Sequence, residues 1–201
     1  MSGRVEAVVF DVGGVLVRMG DIAALGPFLG ERDPAKIKAL WLACSNVDAH
    51  ERGHIDADEF ARRMIATYKM AGSPEDFLAR FLAWPGVLYP EVEATLAALA
   101  GKVEIACLSN TCAFHWAGDT WAADMKRLLP RRFLSFEMGL MKPERAIYDR
   151  AAAVLGIQPE RILFFDDTEM NIVGARAAGW DAHLVDGITD VRKVLKDYGL
   201  L

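Results

Sequence analysis

The sequence predicts an α/β fold in which a doubly wound, five-stranded parallel sheet carries an inserted all-helical cap. Short apolar segments rich in branched residues alternate with helical periodicity over most of the chain. Alternating strands and helices are typical of parallel sheets with both faces covered. One long stretch, residues 18–88, has helical candidates but no strand candidate. We therefore expect residues 1–17 and 89–201 to form the core and residues 18–88 to form the cap.

Length and composition limit the possible classes of protein. A chain of 201 residues can bury one core and a small insert, but it is too short for two ordinary domains. The apolar fraction of 53% and the charged fraction of 25% are typical of a soluble enzyme or binding protein. The 23 basic and 28 acidic residues give a net charge of −5. This charge disfavours binding to nucleic acid or to an anionic membrane.

The sequence also indicates a cellular location. It has no uninterrupted apolar run of membrane-spanning length, and residues 1–4 lead into the first strand without a signal-peptide core. The cysteines at positions 44, 107 and 112 are odd in number and lack zinc-site spacing, so we expect reduced thiols. We expect a cytoplasmic protein, monomeric or homodimeric, whose partner is a small metabolite.

The first element is a strand over residues 5–10, whose continuous apolar character predicts burial on both faces. Asp11 follows it, at the strand end where open α/β sheets bind ligands. Gly13 and Gly14 permit positive φ and a close approach of main-chain amides to a small anion. Taken alone, the same residues also fit an ordinary β-turn.

Three helices are predicted within the insert. Residues 34–48 carry apolar side chains at helical spacing. Asp56 and Glu59 form a capping pattern for a helix that continues to residue 68. Ser73 precedes a proline at the first helical position, which predicts a helix to residue 84.

Beyond residue 90 the pattern alternates regularly, and several helices end at a glycine. The predicted strands are 102–108, 133–136, 161–165 and 182–185, and the predicted helices are 91–100, 116–129, 144–155, 170–178 and 189–198.

Acidic side chains follow two of the predicted strands. Asp11 follows the first, and Asp166 and Asp167 follow residues 161–165. Parallel strands bring their carboxyl ends to one edge, where three carboxylates would repel each other and resist desolvation. Oxygen ligands of this kind suit Mg²⁺. The alternative is that Asp166 and Asp167 only cap the helix that follows.

Other polar side chains should join this edge. Ser109 and Asn110 follow the second strand of the core and can donate hydrogen bonds to a phosphate. Lys142 precedes the helix after the third strand and can neutralise charge on a transferring phosphoryl group.

Together these segments resemble the haloacid dehalogenase superfamily, whose phosphatases carry four short motifs in this order. The segments that resemble them are residues 10–15, residues 108–111, Lys142 and Pro143 with Ile147 and Tyr148, and residues 165–167 with Asn171 and Gly174. Residues 51–55 of the insert and residues 108–111 make the sequence similar to sugar-phosphate phosphatases of the glucose-1-phosphate phosphatase type. The resemblance covers essentially the whole chain.

The resemblance implies a set of roles at the metal. Asp11 would attack phosphorus and form an aspartyl phosphate that water hydrolyses. The carboxylates of Asp11 and Asp167 and the main-chain carbonyl of Gly13 would bind Mg²⁺, and Asp166 would support the ion.

It also implies a phosphate site. Ser109, the amides of the turn at Gly13 and Gly14, and the amide of Asn110 would hold the phosphate. Lys142 would bridge Asp11 and the phosphoryl oxygens. The expected function is hydrolysis of small phosphomonoesters, with sugar phosphates first among them.

The sequence departs from the family's pattern at Gly13. Most phosphatases of the superfamily carry a second Asp there, which protonates the leaving oxygen. His54 or His115 is a candidate substitute, although surface or interhelical hydrogen bonding is the simpler role for both. A metal-independent 2-haloacid dehalogenase, with Arg18 holding the substrate carboxylate, needs no such acid. A third possibility is a binding or regulatory protein with reduced catalysis.

Overall fold

The computed structural model describes residues 4–70 and 72–201. Its strands are β1 (Ala7–Phe10), β2 (Val17–Met19), β3 (Pro85–Leu88), β4 (Glu104–Ser109), β5 (Arg131–Leu134), β6 (Ile162–Asp166) and β7 (Asp181–Leu184). Its helices are α1 (Gly26–Leu29), α2 (Pro34–Leu42), α3 (Ser45–Glu51), α4 (Ala57–Tyr68), α5 (Pro74–Ala83), α6 (Val92–Leu99), α7 (Ala113–Trp116), α8 (Trp121–Leu128), α9 (Ser135–Met138), α10 (Arg145–Leu155), α11 (Glu169–Ala177) and α12 (Gly187–Asp197). Short 3₁₀ turns occupy Ile22–Leu25 and Pro159–Arg161.

Within the described residues, five parallel strands form the main sheet in the order β5-β4-β1-β6-β7. This confirms the predicted fold class. β1 lies at the centre, and Phe10 pairs with Cys107 of β4 and Phe165 of β6. The register therefore brings the residues that follow β1, β4 and β6 to one edge of the sheet.

Helices cover both faces of the sheet, because alternate residues of each strand point to opposite sides. One apolar cluster joins Phe10 and its same-face neighbours to helices α6, α8 and α12. A second joins Val9 and Phe164 to α10 and α11, including the fully buried Tyr148. The central strand is buried throughout, as its uninterrupted apolar sequence predicts.

Helices α1–α5 pack around an aromatic cluster of their own, centred on Trp41, Phe60 and Phe81. The capping predictions are confirmed: Asp56 accepts a hydrogen bond from the N–H of Glu59, and Ser73 forms a capping box with Asp76.

The prediction that residues 18–88 contain no strand is wrong. β2 and β3 pair antiparallel at the two junctions between the insert and the sheet. They have three and four residues, too few for alternation to show in the sequence, and each exists because a distant segment pairs with it.

Three other predicted elements have different bounds. Residues 34–48 form two helices, because Cys44 adopts an extended conformation before α3. Residues 116–129 are divided between α7 and α8. The third core strand ends at residue 134, because Ser135 begins α9. The Ser135 hydroxyl bonds to the main-chain carbonyls of Glu51 and Thr111. Periodicity alone does not mark such interruptions.

None of the helices in the described part of the chain combines the length and the apolar character needed to cross a membrane.

Candidate active site

Three carboxylates meet where β1 and β6 end. Asp11 follows β1, Asp166 is the last residue of β6, and Asp167 comes next. One oxygen from each lies within 4.8 Å of the others. The main chain fixes this meeting, because the N–H of Asp11 donates to the carbonyl of Phe165 at 2.8 Å. The predicted acidic cluster is therefore present in the fold.

Lys142 reaches the same point from the loop before α10. Its Nζ lies 3.0 Å from Asp11 Oδ1 and 2.6 Å from Asp166 Oδ2, and its side chain is 1% exposed. Asn110 fixes the Lys142 main chain: the Asn110 amide donates to the Lys142 carbonyl and accepts from its N–H, both at 2.9 Å. Hydrogen bonds therefore fix Lys142 both at its main chain and at its ammonium group, which lies between two carboxylates.

Asp166 positions its neighbours. Its carboxylate accepts hydrogen bonds from the Thr168 N–H at 2.8 Å and from the Asn171 amide at 3.0 and 3.1 Å, in addition to Lys142. Tyr148 in turn donates its hydroxyl to the Asn171 carbonyl at 2.8 Å. Asp166 is fully buried, and these donors compensate for the loss of hydration of its charge.

The charges of the site are not balanced by protein alone. Burial raises the pKa of Asp11 to about 7; Lys142 opposes this shift, and Asp166 and Asp167 reinforce it. The pKa of Asp167 is also raised, by burial and by Asp166. Burial by itself would lower the pKa of Lys142, but Asp11 and Asp166 outweigh it and hold the pKa above its usual range. One ammonium faces three carboxylates, and a divalent cation would neutralise the remaining negative charge.

The donor set fits a hard cation such as Mg²⁺, because all three side-chain donors are carboxylate oxygens. The turn at Gly14 also leaves space for the carboxylate of Asp167. Gly14 has φ of 75°, and a Cβ built on it would lie 2.3 Å from Asp167 Oδ2. Only glycine combines this backbone conformation with the close approach of Asp167.

The two glycines of the turn have different main-chain surroundings. The Gly14 N–H donates to the Val17 carbonyl at 2.9 Å, and the Val17 N–H donates to the Val12 carbonyl at 2.8 Å. Gly14 therefore does not offer its amide to a phosphate, and that prediction is corrected. The N–H and carbonyl of Gly13 take no part in these two bonds.

The second predicted phosphate segment is also partly engaged. Ser109 is buried and is one of the residues that line the cavity, as Asp11 is. The side-chain amide of Asn110 is held by Lys142, so its main-chain N–H is the group that remains for the predicted phosphate contact. Thr111 donates its N–H to Ser135 Oγ at 2.9 Å.

These groups lie on the floor of a cavity of about 690 Å³ between the sheet edge and the insert. The insert supplies the opposite wall. Its residues there include Lys38, Trp41, Leu42, Val47, Asp48, Glu51, Arg52, Phe81 and Trp84.

Three other residues that the sequence offered for acid catalysis or carboxylate binding are poorly placed for those roles. His115 faces the cavity, but its Nε2 bonds to the Phe81 carbonyl at 2.7 Å, and burial lowers its pKa to about 4. His54 is exposed and is not among the residues that line the cavity. Arg18 is also exposed; its guanidinium lies 5.3 Å from the centre of the Tyr89 ring, outside the cavity lining.

Sequence reasoning missed the roles of Glu51 and Ser135. Glu51 lines the cavity, and Ser135 bonds both to the Glu51 carbonyl and to Thr111. Glu51 lies in a segment already noted for its resemblance, but no pattern in the sequence points its side chain at the sheet edge.

A model of the haloacid dehalogenase-like hydrolases matches residues 5–179. The chain belongs to this family. The fold brings Asp11, Asn110, Lys142 and Asp166, one from each of the four segments named from the resemblance, to one sheet edge.

Solved structures of several haloacid dehalogenase-like proteins share this fold. A HAD family enzyme from Bacteroides thetaiotaomicron, in complex with magnesium and inorganic phosphate, is 22% identical with a TM-score of 0.72, over 90% of this chain and 93% of that one. A Porphyromonas gingivalis protein predicted to be a HAD-like hydrolase is 21% identical with a TM-score of 0.76, over 96% and 99%. The L-2-haloacid dehalogenase of Xanthobacter autotrophicus is 21% identical with a TM-score of 0.63, over 90% and 77%. At these identities the likeness concerns the fold.

Proposed function

We propose that this hydrolase cleaves small phosphomonoesters with Mg²⁺, through an aspartyl phosphate on Asp11. The observation that carries the proposal is the placement of Asp11 against Lys142, with Asp167 in the same oxygen cluster. A nucleophile paired with a buried ammonium beside a divalent-cation site suits attack on an anionic phosphate. The magnesium and phosphate complex of the Bacteroides enzyme supports the same chemistry on this fold.

In this mechanism the side chains act mainly by position and charge. An oxygen of Asp11 attacks phosphorus, and the bond to the leaving oxygen breaks. Lys142, held by Asp166 and by Asn110, donates hydrogen bonds to Asp11 and to the transferring group. Water then attacks phosphorus and releases inorganic phosphate.

Asp11, Asp167 and the Gly13 carbonyl would hold Mg²⁺, with Asp166 beside them. When bound, the ion supplies positive charge that draws the phosphate in and offsets the charge that develops during transfer.

We further propose that residues 18–88 act as a cap and that a sugar phosphate is the substrate. A volume of about 690 Å³ accommodates a small phosphorylated metabolite. Trp41 and Trp84 offer flat apolar surfaces on the wall opposite the carboxylates, and Lys38 adds positive charge there. A cap at this position would exclude water and limit substrate size.

The test is phosphate release by purified protein from a panel of sugar, alkyl and aryl phosphates, with Mg²⁺ and with a chelator. We expect release that disappears on chelation and returns with Mg²⁺. An Asp167→Asn variant should need more Mg²⁺ than the wild type, because it loses a charged ligand. Activity that is indifferent to chelation in both proteins would contradict the proposal.

A metal-independent 2-haloacid dehalogenase is the second candidate. Gly13 favours it, because halide leaves without a proton and needs no acid at that position. The position of Arg18 opposes it, since that side chain lies outside the cavity lining. Halide release from 2-haloacids in the presence of chelator would establish this function. No turnover in either assay would favour a binding or regulatory protein.

A further inference from the structure

Glu51 is a carboxylate on the insert side of the cavity. It is the last residue of α3, it is half-buried, and it lines the cavity that contains Asp11 and Lys142. Among the described residues, the hydrogen bonds and ion pairs include none to its carboxylate. A half-buried carboxyl group without such a partner has oxygen atoms that are free to donate or accept a proton.

The main chain of Glu51 is fixed to the core. The Ser135 hydroxyl donates a hydrogen bond to the Glu51 carbonyl at 2.6 Å. The same hydroxyl oxygen accepts a hydrogen bond from the N–H of Thr111 at 2.9 Å. Thr111 is two residues from Ser109, so one serine links Glu51 to the predicted phosphate segment.

The residues after Glu51 strengthen this attachment. Arg52 pairs with Glu144 and also donates to the Gly139 carbonyl at 3.3 Å. A Cβ on Gly53 would lie 2.5 Å from the Phe136 carbonyl, so the chain passes very close to α9. The end of α3 therefore has a fixed position relative to the sheet edge.

The other carboxylates of the cavity wall outside the acidic cluster are engaged. Asp21 caps a 3₁₀ turn by accepting from the Ala23 N–H at 2.9 Å. Asp48 and Glu144 both pair with Arg52. In the described part of the chain, Glu51 is the one acid of this wall without a hydrogen bond or an ion pair.

The surroundings of Glu51 bring its titration close to neutral pH. Burial raises its pKa to about 7; Lys142 opposes the shift, and Asp48 adds to it. His115 also faces this part of the cavity, and burial keeps it neutral by lowering its pKa to about 4. A carboxyl group that titrates near the working pH is suited to give and take a proton.

We propose that Glu51 is the general acid and base of the reaction, in place of the Asp that is absent at Gly13. This inference rests on the proposed phosphatase function. As Asp11 attacks phosphorus and the ester P–O bond breaks, the Glu51 proton passes to the leaving oxygen, which departs as an alcohol. The Glu51 carboxylate then takes a proton from the water that attacks the aspartyl phosphate. The Asp11–phosphorus bond breaks, and phosphate, Asp11 and protonated Glu51 are restored.

The test compares Glu51→Gln with wild type on two esters of similar size, benzyl phosphate and p-nitrophenyl phosphate. The benzyl alcoholate must be protonated as it leaves, whereas nitrophenolate leaves without a proton. We expect kcat/KM for benzyl phosphate to fall about 10²–10⁴-fold and that for p-nitrophenyl phosphate to fall far less. With the nitrophenyl ester, the variant should release a burst of nitrophenol and then turn over slowly, because hydrolysis of the aspartyl phosphate lacks its base.

Asp48→Asn is the matched control, because it removes a cavity carboxylate that is already paired with Arg52. It should lower both rates to a similar, small extent and show no burst. Equal losses on the two esters in Glu51→Gln, or no loss, would overturn the role of Glu51 while phosphatase activity of the wild type stands. A wild-type protein inactive on both esters would overturn the proposed function and this role with it.

The pH profile is an independent readout. Wild-type hydrolysis of benzyl phosphate should decline above about pH 7 as the Glu51 proton is lost. In Glu51→Gln the residual rate should lack this decline. Asp48→Asn should keep the decline with its midpoint at a lower pH, because Asp48 helps to raise the pKa of Glu51. A decline of the same size in Glu51→Gln would assign it to another group and contradict the proposal.

Discussion

The two walls of the cavity are built in different ways. On the core side, Asp11, Lys142, Asp166 and Asn171 bind one another at strand ends, and most of these side chains are buried. On the insert side, the wall consists mostly of apolar and aromatic side chains. The core side therefore has the fixed charges that the proposed phosphoryl transfer requires, and under the same proposal the insert side would select the leaving group.

This difference shows which wall tolerates change. A buried charge network loses stability when one member is removed, because the others remain buried without a partner. On the insert wall, Trp41 and Phe81 are also buried, but Lys38 and Leu42 are exposed, and changes at exposed positions alter selectivity with little loss of stability. Substitutions on the two sides should therefore separate catalysis from substrate choice.

The largest expected effect is on the core side, in Asp11→Asn. Phosphatase activity should fall by at least about 10⁴-fold, because an amide does not form the phosphoenzyme. The fold should persist, since the amide has the shape of the carboxylate and remains able to accept from the Val12 N–H. Asp149→Asn, in an exposed ion pair with Arg145, is the control and should retain its activity. Near-normal turnover by Asp11→Asn would exclude Asp11 as the nucleophile.

The next effect is on stability, in Lys142→Met. Without the ammonium, Asp11 and Asp166 are left buried beside each other, and we expect a loss of about 3–5 kcal/mol in the free energy of unfolding. Lys142 lowers the pKa of Asp11, so its removal raises that pKa further and leaves the carboxyl easier to protonate. In chelator, the loss should therefore shrink as the pH falls from about 8 to about 5.

Lys193→Met is the control for this variant, because it breaks only an exposed pair with Asp190. Its change should stay within about 0.5 kcal/mol at every pH. Urea unfolding of both variants gives the comparison. A Lys142→Met variant as stable as the control would contradict the view that the core side is a single network.

A pair of glycine variants compares the two regions directly. Gly14 and Gly30 both have positive φ, of 75° and 65°. Ala at either position costs about 1–2 kcal/mol in backbone strain. Only Gly14→Ala also forces a Cβ against Asp167, whereas nothing lies within 4 Å of the Gly30 position. Gly14→Ala should therefore lose more stability, and it alone should need more Mg²⁺ for half-maximal activity. Equal effects would mean that Asp167 moves freely.

The smallest expected effect is in Gly13→Asp. Gly13 does not have positive φ, and the nearest group to its Cβ would be the flexible thioether of Met19, at 3.0 Å. We expect the melting temperature to change by no more than about 2–4 °C. In the Glu51→Gln background, the new carboxyl group should restore part of the benzyl phosphate rate. A large loss of stability would show instead that the turn requires glycine at this position.

Much of the core side was predictable from sequence, because its residues follow directly after apolar strands. Asp11, Asp166 and Asp167 needed only the rule that parallel strands end at one edge. The succession of strands and helices along the chain predicted the fold class, because alternation is typical of a parallel sheet with helices on both faces. Lys142 was placed by its resemblance to a family motif, and its ion pairs then appeared in the fold.

The insert side was less predictable, because its contacts depend on how separate helices pack. Periodicity predicted one helix over residues 34–48, but α2 ends at Leu42 and α3 begins at Ser45, with a break in the helix at Cys44. That break determines where Glu51 and Arg52 meet the core. The main-chain bond of Gly14 to Val17 likewise depends on the turn geometry, which composition alone did not specify.

The sequence by itself determined the family of folds, the acidic cluster and the absence of an acid at Gly13, since these depend on residue type and on position relative to strand ends. Only the tertiary structure decided which side chains have free polar atoms. Asn110 and Lys142 hold each other, His115 is bound to Phe81, and Glu51 faces the cavity without a partner in the described residues. Hydrogen-bond partners come from segments distant in the chain, so no local pattern specifies them.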